Sequence, residues 1–129
     1  YFQDYIKSIL LKPVSYLIDG LWVNIYKPNE YIAPHVHLDC DISFIIYLKS
    51  NQDLIDKNPY DHPRAGYTVF KWGEKPDSRS VIPIHTESNH EPKDGELVIF
   101  PNNLSHYSIP FKTPNINRIT VSGNLKFKI

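Results

Sequence analysis

Cysteine is nearly absent from this 129-residue chain, in which Cys40 is the single example. One thiol can form neither an internal disulfide nor a cysteine-based zinc site, so we read Cys40 as a small packed residue. At this length the chain can bury a hydrophobic core of its own without covalent cross-links. The near-absence of cysteine fits a reducing compartment, and we expect a cytoplasmic protein.

Excess charge of either sign is also lacking, because 14 basic residues balance 14 acidic ones. A balanced chain offers no basic face by composition, so we expect no nucleic-acid partner. The sequence contains no apolar run of membrane-spanning length and no signal peptide, so we expect no membrane partner either. Composition predicts nothing about the oligomeric state.

The first three residues, Tyr1-Phe2-Gln3, are similar to the end of a cleavable purification tag, and we exclude them from the fold prediction. Residues 4–129 show no internal repeat and no linker. We therefore predict a single domain over 4–129.

The 11 prolines and nine tyrosines, with many isoleucines, favour short strands and turns over helices. One short helix is predicted over Asp4–Leu11, where Pro13 closes it. The predicted strands are Tyr16–Ile18, Leu21–Tyr26, Ile42–Leu48, Tyr67–Trp72, Val81–Ile84, Glu96–Phe100, His106–Ile109 and Arg118–Lys128. Turn sequences such as Asp19-Gly20 and Lys75-Pro76-Asp77 separate them. Many short strands with regular turns predict an all-β fold, a sandwich or jelly roll.

Two segments, Lys49–Arg64 and His85–Asp94, are too long and polar to be simple hairpin connections. We predict surface loops there, which frame the entrance to a substrate site. His62, His85 and His90 lie in these loops and are expected to be solvated.

The pair His35-Val36-His37 is the strongest chemical signal in the chain. Residues i and i+2 of a strand project to the same face about 6.6 Å apart, so both imidazoles can reach one metal ion. His106, far downstream, can supply a third imidazole. Such a facial triad leaves coordination positions open for dioxygen and a co-substrate.

Several further segments, taken in order, resemble the prolyl-4-hydroxylase-like 2-oxoglutarate/Fe(II) oxygenases. Tyr26-Lys27-Pro28 with Pro34-His35 resembles their entry to the metal site, and Gly66-Tyr67-Thr68-Val69-Phe70 resembles a core strand. The residues that match one branch of this superfamily are Trp22, Asn24, His35, His37, Ser43, Tyr47, Gly95, Phe100, Pro101, His106, Arg118 and Asn124. The resemblance covers about residues 20–125.

This resemblance implies a double-stranded β-helix, a form of jelly roll, with Fe(II) held by His35, His37 and His106. It implies 2-oxoglutarate as co-substrate and O2 as oxidant, with succinate and CO2 released as an unactivated C–H bond is hydroxylated. Arg118 would pair with the distal carboxylate of 2-oxoglutarate, because a guanidinium offers a planar fork and stays charged when buried. Cofactor-binding roles would also fall to Tyr47, Tyr26 and Asn24. The substrate would be a small molecule or a peptide, with prolyl hydroxylation as the nearest analogy.

One departure from the superfamily stands at His37, where most members have an aspartate. A shifted register over His37-Leu38-Asp39 would restore a carboxylate ligand, although it loses the match at Pro34-His35. Asp39 or Asp41 could also orient an imidazole from outside the coordination sphere.

A cupin is the alternative, because cupins are jelly rolls that bind metal through three histidines and a carboxylate. The corresponding residues would be His35, His37, Asp41 and His106, and the protein could then act without 2-oxoglutarate. Arg118 and Tyr47, which a cupin does not need, favour the oxygenase. A metal-free binding jelly roll is a third possibility, but it leaves the three histidines without a role.

Overall fold

A computed structural model describes residues 1–73 and 86–128 of the chain. The described elements, in chain order, are α1 (Phe2–Leu10), β1 (Tyr16–Tyr26), β2 (Ile42–Lys49), α2 (Gln52–Asp56), β3 (Thr68–Lys71), β4 (Glu87–His90), β5 (Leu97–Pro101), β6 (Ser105–Ser108) and β7 (Arg118–Phe127). Neither described helix is long and apolar enough to cross a membrane. The predicted strand at Val81–Ile84, the turn at Lys75–Asp77 and His85 lie outside the described residues.

The strands form two antiparallel sheets, as the all-β prediction requires. The larger sheet has the order β1-β7-β2-β5 and the smaller one the order β4-β3-β6. In the larger sheet β7 is central: Tyr26 of β1 pairs with Arg118, and Tyr47 of β2 pairs with Thr120. Residues far apart in sequence therefore lie side by side on the face that looks toward the smaller sheet.

The outer face of the larger sheet is covered in part by α1. Ile6 of α1 is fully buried in a cluster with Ile42, Phe44 and Leu125. Phe2 belongs to this helix, and its ring centroid lies 5.0 Å from that of Phe44. Residues 1–3, which we had excluded from the fold, thus include a side chain that packs on the core.

Three local predictions about the connections are wrong. Asp19-Gly20 does not separate two strands but lies within β1, where the pairing with β7 shifts between Ile18 and Leu21. The predicted loop Lys49–Arg64 contains α2. This short helix is held on the core by Ile55, which is buried in a cluster that includes Phe111. The predicted loop His85–Asp94 contains β4, whose polar side chains gave no strand-like alternation.

The segment after α2 is fixed by Asp61. This carboxylate accepts hydrogen bonds from the backbone N–H groups of Lys112 and Thr113, and from the side chains of Thr113 and Asn58. Burial tends to raise the pKa of Asp61, but these hydrogen bonds outweigh it and hold the pKa below its usual value. The polar composition of this stretch therefore reflects a network of internal contacts.

Gly123 of β7 has no room for a side chain. A Cβ there would lie 2.4 Å from Phe44 Cζ and 2.8 Å from the carbonyl oxygen of Gly20. Both neighbours are packed, so the space can be made only by displacing the ring of Phe44 or the backbone of β1.

We predict that Gly123→Ala lowers the free energy of unfolding by about 1–3 kcal/mol, the usual cost of overpacking a core. Combining it with Phe44→Leu should cost less than the sum of the two single changes, because the smaller side chain vacates the space. Chemical denaturation of the four proteins of this cycle measures the coupling. Strict additivity would show that the contact with Phe44 is not the cause.

Candidate active site

Three histidines meet at one end of the space between the sheets. His35 and His106 form an antiparallel bridge in which each backbone N–H donates to the other's carbonyl oxygen, at 3.1 and 3.0 Å. His37 is held two residues further on, where its N–H donates to Asn102 O at 2.9 Å. One ring nitrogen from each histidine lies within 4.8 Å of the other two. The structure thus brings together the residues that strand geometry and the family resemblance had selected.

Two of the imidazoles are oriented by backbone carbonyls. His35 Nδ1 lies 2.8 Å from Ala33 O, and His106 Nδ1 lies 2.9 Å from Leu104 O. A carbonyl oxygen can only accept, so in the neutral form of each ring Nδ1 carries the proton and Nε2 keeps its lone pair. This is the tautomer that a metal ligand needs, and the carbonyl fixes the plane of the ring.

Burial in the site favours the neutral form of two of these imidazoles, His106 and His37. Burial lowers the pKa of His106 to about 4, with smaller contributions from the neighbouring His35 and His37, while the contact with Leu104 opposes the shift. Burial, then His35, also lowers the pKa of His37. The ring of His37 stacks on Trp22 with centroids 5.7 Å apart. Neutral imidazole is the form that binds a metal ion.

No carboxylate joins the three histidines among the described residues. Asp41 accepts a hydrogen bond from the backbone N–H of Phe127 at 2.7 Å, so its carboxylate binds the end of β7 and not the histidine cluster. Asp39 is exposed and has a left-handed backbone with φ of 60°. The cupin ligand set with Asp41 and the shifted register with Asp39 are therefore both wrong for this structure.

The histidines and Arg118 share one pocket between the sheets. Its lining also includes Trp22, Asn24, Tyr26, Thr68 and Ser108, and it holds an empty volume of about 440 Å³ with its open mouth included. Along β1, Trp22, Asn24 and Tyr26 alternate with exposed residues, so they face the pocket by strand periodicity.

Arg118 is a buried cation with an exposed fraction of 3%. Its Nη1 donates to Ser108 Oγ at 3.2 Å and its Nη2 to Thr68 Oγ1 at 3.1 Å. Arg118 Cζ lies 5.1 Å from the ring centroid of Tyr26 and 5.4 Å from that of Tyr47. Within residues 1–73 and 86–128, no carboxylate forms an ion pair with it, and its Nε has no hydrogen-bond partner.

Burial lowers the pKa of Arg118, and the nearby hydroxyls of Tyr47 and Tyr26 oppose that shift. Guanidinium remains charged even so, because its intrinsic basicity is very high. A charge removed from water without a counter-ion is costly, so an anion bound in this pocket would stabilise Arg118.

The other predicted cofactor-binding residues differ in whether they line the pocket. Asn24 lines the pocket and donates from Nδ2 to Thr120 Oγ1 and Ser122 Oγ, at 3.2 and 3.0 Å. Tyr26 also lines it, beside Arg118. Tyr47 is fully buried behind the wall, and its hydroxyl lies 2.8 Å from Thr68 Oγ1. Thr68 therefore stands between Tyr47 and the pocket.

We did not predict from the sequence that Thr68 and Ser108 accept the hydrogen bonds from the Arg118 guanidinium. Ser108 follows His106 by two positions, so strand periodicity could have placed it on the same face. Thr68 stands in the strand motif that resembles the oxygenases. The predicted entrance loops are a further correction, because no described residue of 49–64 or 86–94 lines the pocket.

A family model described as "Putative 2OG-Fe(II) oxygenase" matches residues 20–124. The chain belongs to this family. The match spans the histidines, Arg118 and every strand named above except the first residues of β1 and the last of β7.

Two solved structures similar to this oxygenase-family chain share its fold. One is an oxidoreductase of the 2OG-Fe(II) oxygenase family from Burkholderia pseudomallei, with 13% identity and a TM-score of 0.64. The other is a Pseudomonas putida prolyl-4-hydroxylase, with 19% identity and a TM-score of 0.57. The fold is therefore the predicted double-stranded β-helix. No curated protein sequence matches.

The chain covers only part of these neighbours. Each alignment includes 96% of this chain, but 51% of the first neighbour and 59% of the second. The shared part is the double-stranded β-helix.

The lowered pKa of His106 predicts a pH-dependent loss of stability in the metal-free protein. The unfolded chain takes up this proton near pH 6.5, whereas the folded chain resists it until about pH 4. Stability should therefore fall as pH drops through this window, because the unfolded state binds more protons. His106→Gln, which cannot titrate, should flatten that part of the profile when unfolding is followed between pH 7 and 4. The exposed His62→Gln serves as the control, and parallel profiles for His106→Gln and the wild type would contradict the prediction.

Proposed function

We propose that this chain is an Fe(II)- and 2-oxoglutarate-dependent dioxygenase that hydroxylates an unactivated C–H bond. One observation carries the proposal: a buried Arg118, without an acidic partner among the described residues, shares a pocket with three clustered imidazoles. A metal site alone would not need the cation. An anion site alone would not need the imidazoles.

The three histidines suit Fe(II) in ligand type, and their ring nitrogens lie near the separations that one bound ion requires. Imidazole is a good ligand for divalent iron, and His35 and His106 already have the tautomer that leaves Nε2 free. Nitrogens bound to one ion at about 2.1 Å lie about 3–4 Å apart, so the observed separations need only a modest closing of the rings.

Arg118 fits a carboxylate. Thr68 and Ser108 fix its two terminal nitrogens, the rings of Tyr26 and Tyr47 hold the guanidinium plane, and Nε is left without a partner. A guanidinium held in this orientation can bind a carboxylate by donating two parallel hydrogen bonds to it. A dicarboxylate such as 2-oxoglutarate could then reach from the fork toward the imidazoles.

Iron and 2-oxoglutarate, once bound, supply the oxidation of a C–H bond by O2, with release of succinate and CO2. The chain itself binds and orients the metal and the co-substrate. His35, His37 and His106 hold the metal, Arg118 neutralises the far carboxylate, and Asn24 and Tyr26 line the space between the two ends. Buried apolar residues beside the histidines, Phe70 and Phe100 among them, keep water from this end of the pocket.

The substrate class is the finer part of the proposal. One structural neighbour is a prolyl-4-hydroxylase, and we propose an amino-acid residue of a peptide, or a free amino acid, as the group that is hydroxylated. The support is the shared fold together with the open mouth of the pocket.

The metal proposal predicts one divalent ion per chain. Anaerobic titration with Fe(II), followed by calorimetry, should give unit stoichiometry, and His35→Ala should reduce the affinity by about tenfold or more because a ligand is lost. The matched control is His62→Ala, which removes an exposed histidine from a loop and should bind iron normally. Equal affinities for the two variants would contradict the assignment of His35.

The co-substrate proposal predicts that Arg118→Ala weakens 2-oxoglutarate binding by about 3 kcal/mol or more, which is about a hundredfold in Kd. Iron affinity should change little. Arg118→Lys should recover part of the loss, because an ammonium supplies charge but no bidentate fork. The measurement is anaerobic titration of the iron-loaded protein, followed by the visible charge-transfer band of the chelate. Binding of 2-oxoglutarate that is unchanged in Arg118→Ala would overturn the dioxygenase proposal.

A further inference from the structure

We infer that His90 and Glu96 form a positioning pair, which holds Tyr47 and through it the guanidinium of Arg118. The inference rests on the proposed function for its effect on 2-oxoglutarate. The geometry that supports it is independent of any ligand.

The pair joins two strands at the rear of the pocket. His90, the last residue of β4, has Nε2 2.9 Å from Glu96 Oε2, and Glu96 immediately precedes β5. The side chains are 27% and 33% exposed, so the contact is partly shielded from solvent. A charge-assisted hydrogen bond here links the smaller sheet to the larger one.

The imidazole of His90 supports Tyr47 directly. The two rings stack with centroids 5.7 Å apart and an interplanar angle of 26°. Tyr47 is fully buried, and its backbone N–H donates to Glu96 O at 3.0 Å. Both members of the pair therefore contact Tyr47, one through its side chain and the other through its backbone.

Tyr47 and Thr68 transmit this support to Arg118. Thr68 pairs with His90 across β3 and β4, and its hydroxyl lies 2.8 Å from the Tyr47 hydroxyl. The same Thr68 oxygen accepts from Arg118 Nη2 at 3.1 Å, while the ring of Tyr47 lies 5.4 Å from Arg118 Cζ. A shift of Tyr47 would disturb both its ring contact with the guanidinium and, through Thr68, the hydrogen bond from Arg118 Nη2.

Neither His90 nor Glu96 lines the pocket. They cannot contact a ligand there, so their effect must pass through Tyr47 and Thr68. The metal ligands belong to a different part of the wall, around the bridge between His35 and His106. Disrupting the pair should therefore loosen the Arg118 end of the pocket and leave the metal end unchanged.

The test uses three variants. His90→Ala removes the stacking and the hydrogen bond, His90→Phe restores a flat ring against Tyr47, and Glu96→Gln keeps an acceptor but removes the charge. His62→Ala is the control for loss of a histidine elsewhere.

The first readout is hydrogen exchange of the Arg118 guanidinium protons, measured by NMR in the metal-free protein. Buried, hydrogen-bonded protons exchange slowly, and His90→Ala should accelerate their exchange by about tenfold, the fold-change that matches a coupling of about 1.4 kcal/mol. His90→Phe should recover only part of the protection, because its ring can stack on Tyr47 but cannot bond to Glu96. Glu96→Gln keeps the His90 ring and an acceptor, so its exchange should lie closest to that of the wild type. Full rescue by His90→Phe would show that the ring alone positions Tyr47 and that the contact with Glu96 does not contribute.

The second readout is ligand binding to the full chain. His90→Ala should weaken 2-oxoglutarate binding by about tenfold while iron affinity stays within about twofold of the wild type. If the guanidinium protons stay as protected in His90→Ala as in the wild type, the inference is overturned, whatever happens to overall stability. If the wild type binds no 2-oxoglutarate but the guanidinium responds as expected, the proposed function fails and the positioning role stands.

Discussion

Burial of the Arg118 charge is the constraint around which the larger sheet is arranged. The guanidinium lies at the start of the central strand β7, with an exposed fraction of 3%. Among the described residues, hydroxyls and aromatic faces offset its removal from water. Those groups come from four other strands: Tyr26 of β1, Tyr47 of β2, Thr68 of β3 and Ser108 of β6. A cation that needs partners from both sheets fixes how the sheets face one another. It also leaves a positive charge in the pocket that no acidic side chain of residues 1–73 and 86–128 neutralises.

The metal end is built by different means. Its geometry comes from backbone pairing, since the bridge between His35 and His106 sets the two residues side by side and carbonyls of Ala33 and Leu104 turn their rings. Burial then lowers the pKa of His106 to about 4 and lowers that of His37 as well, so proton competition is weak near neutrality. The two ends of the pocket therefore depend on separate sets of contacts, and each can be weakened without the other. That separation makes the roles of the residues experimentally distinguishable.

Much of this site could be predicted from the sequence because its key residues obey short-range rules. The i, i+2 spacing of His35 and His37 predicted that they lie together, although in the structure only His35 is bridged and neither residue belongs to a strand. Arg118 begins a strand in a family-like motif. The role of His90 could not be read in this way. Its strand, Glu87-Ser88-Asn89-His90, is polar throughout, and its partners Tyr47 and Glu96 come from elements that only the tertiary fold brings near. Likewise α2 is too short to show helical periodicity, and Asp19-Gly20 has a turn-like composition although pairing with β7 keeps it in β1. Tertiary pairing overrode local propensity at each of these places.

His37 in place of the usual aspartate changes the charge balance of the whole pocket. With histidine ligands and no carboxylate among the described residues, a bound divalent ion would keep its full charge, and Arg118 adds another within the same enclosure. Asp41, the nearest candidate for compensation in the sequence, is committed to the backbone of Phe127. No other described carboxylate joins the histidines, and a dicarboxylate co-substrate of the kind proposed above would supply negative charge at both ends of the pocket. Metal and anion should consequently favour each other's binding more strongly here than at a site with a carboxylate ligand, because each relieves the uncompensated charge that the other faces.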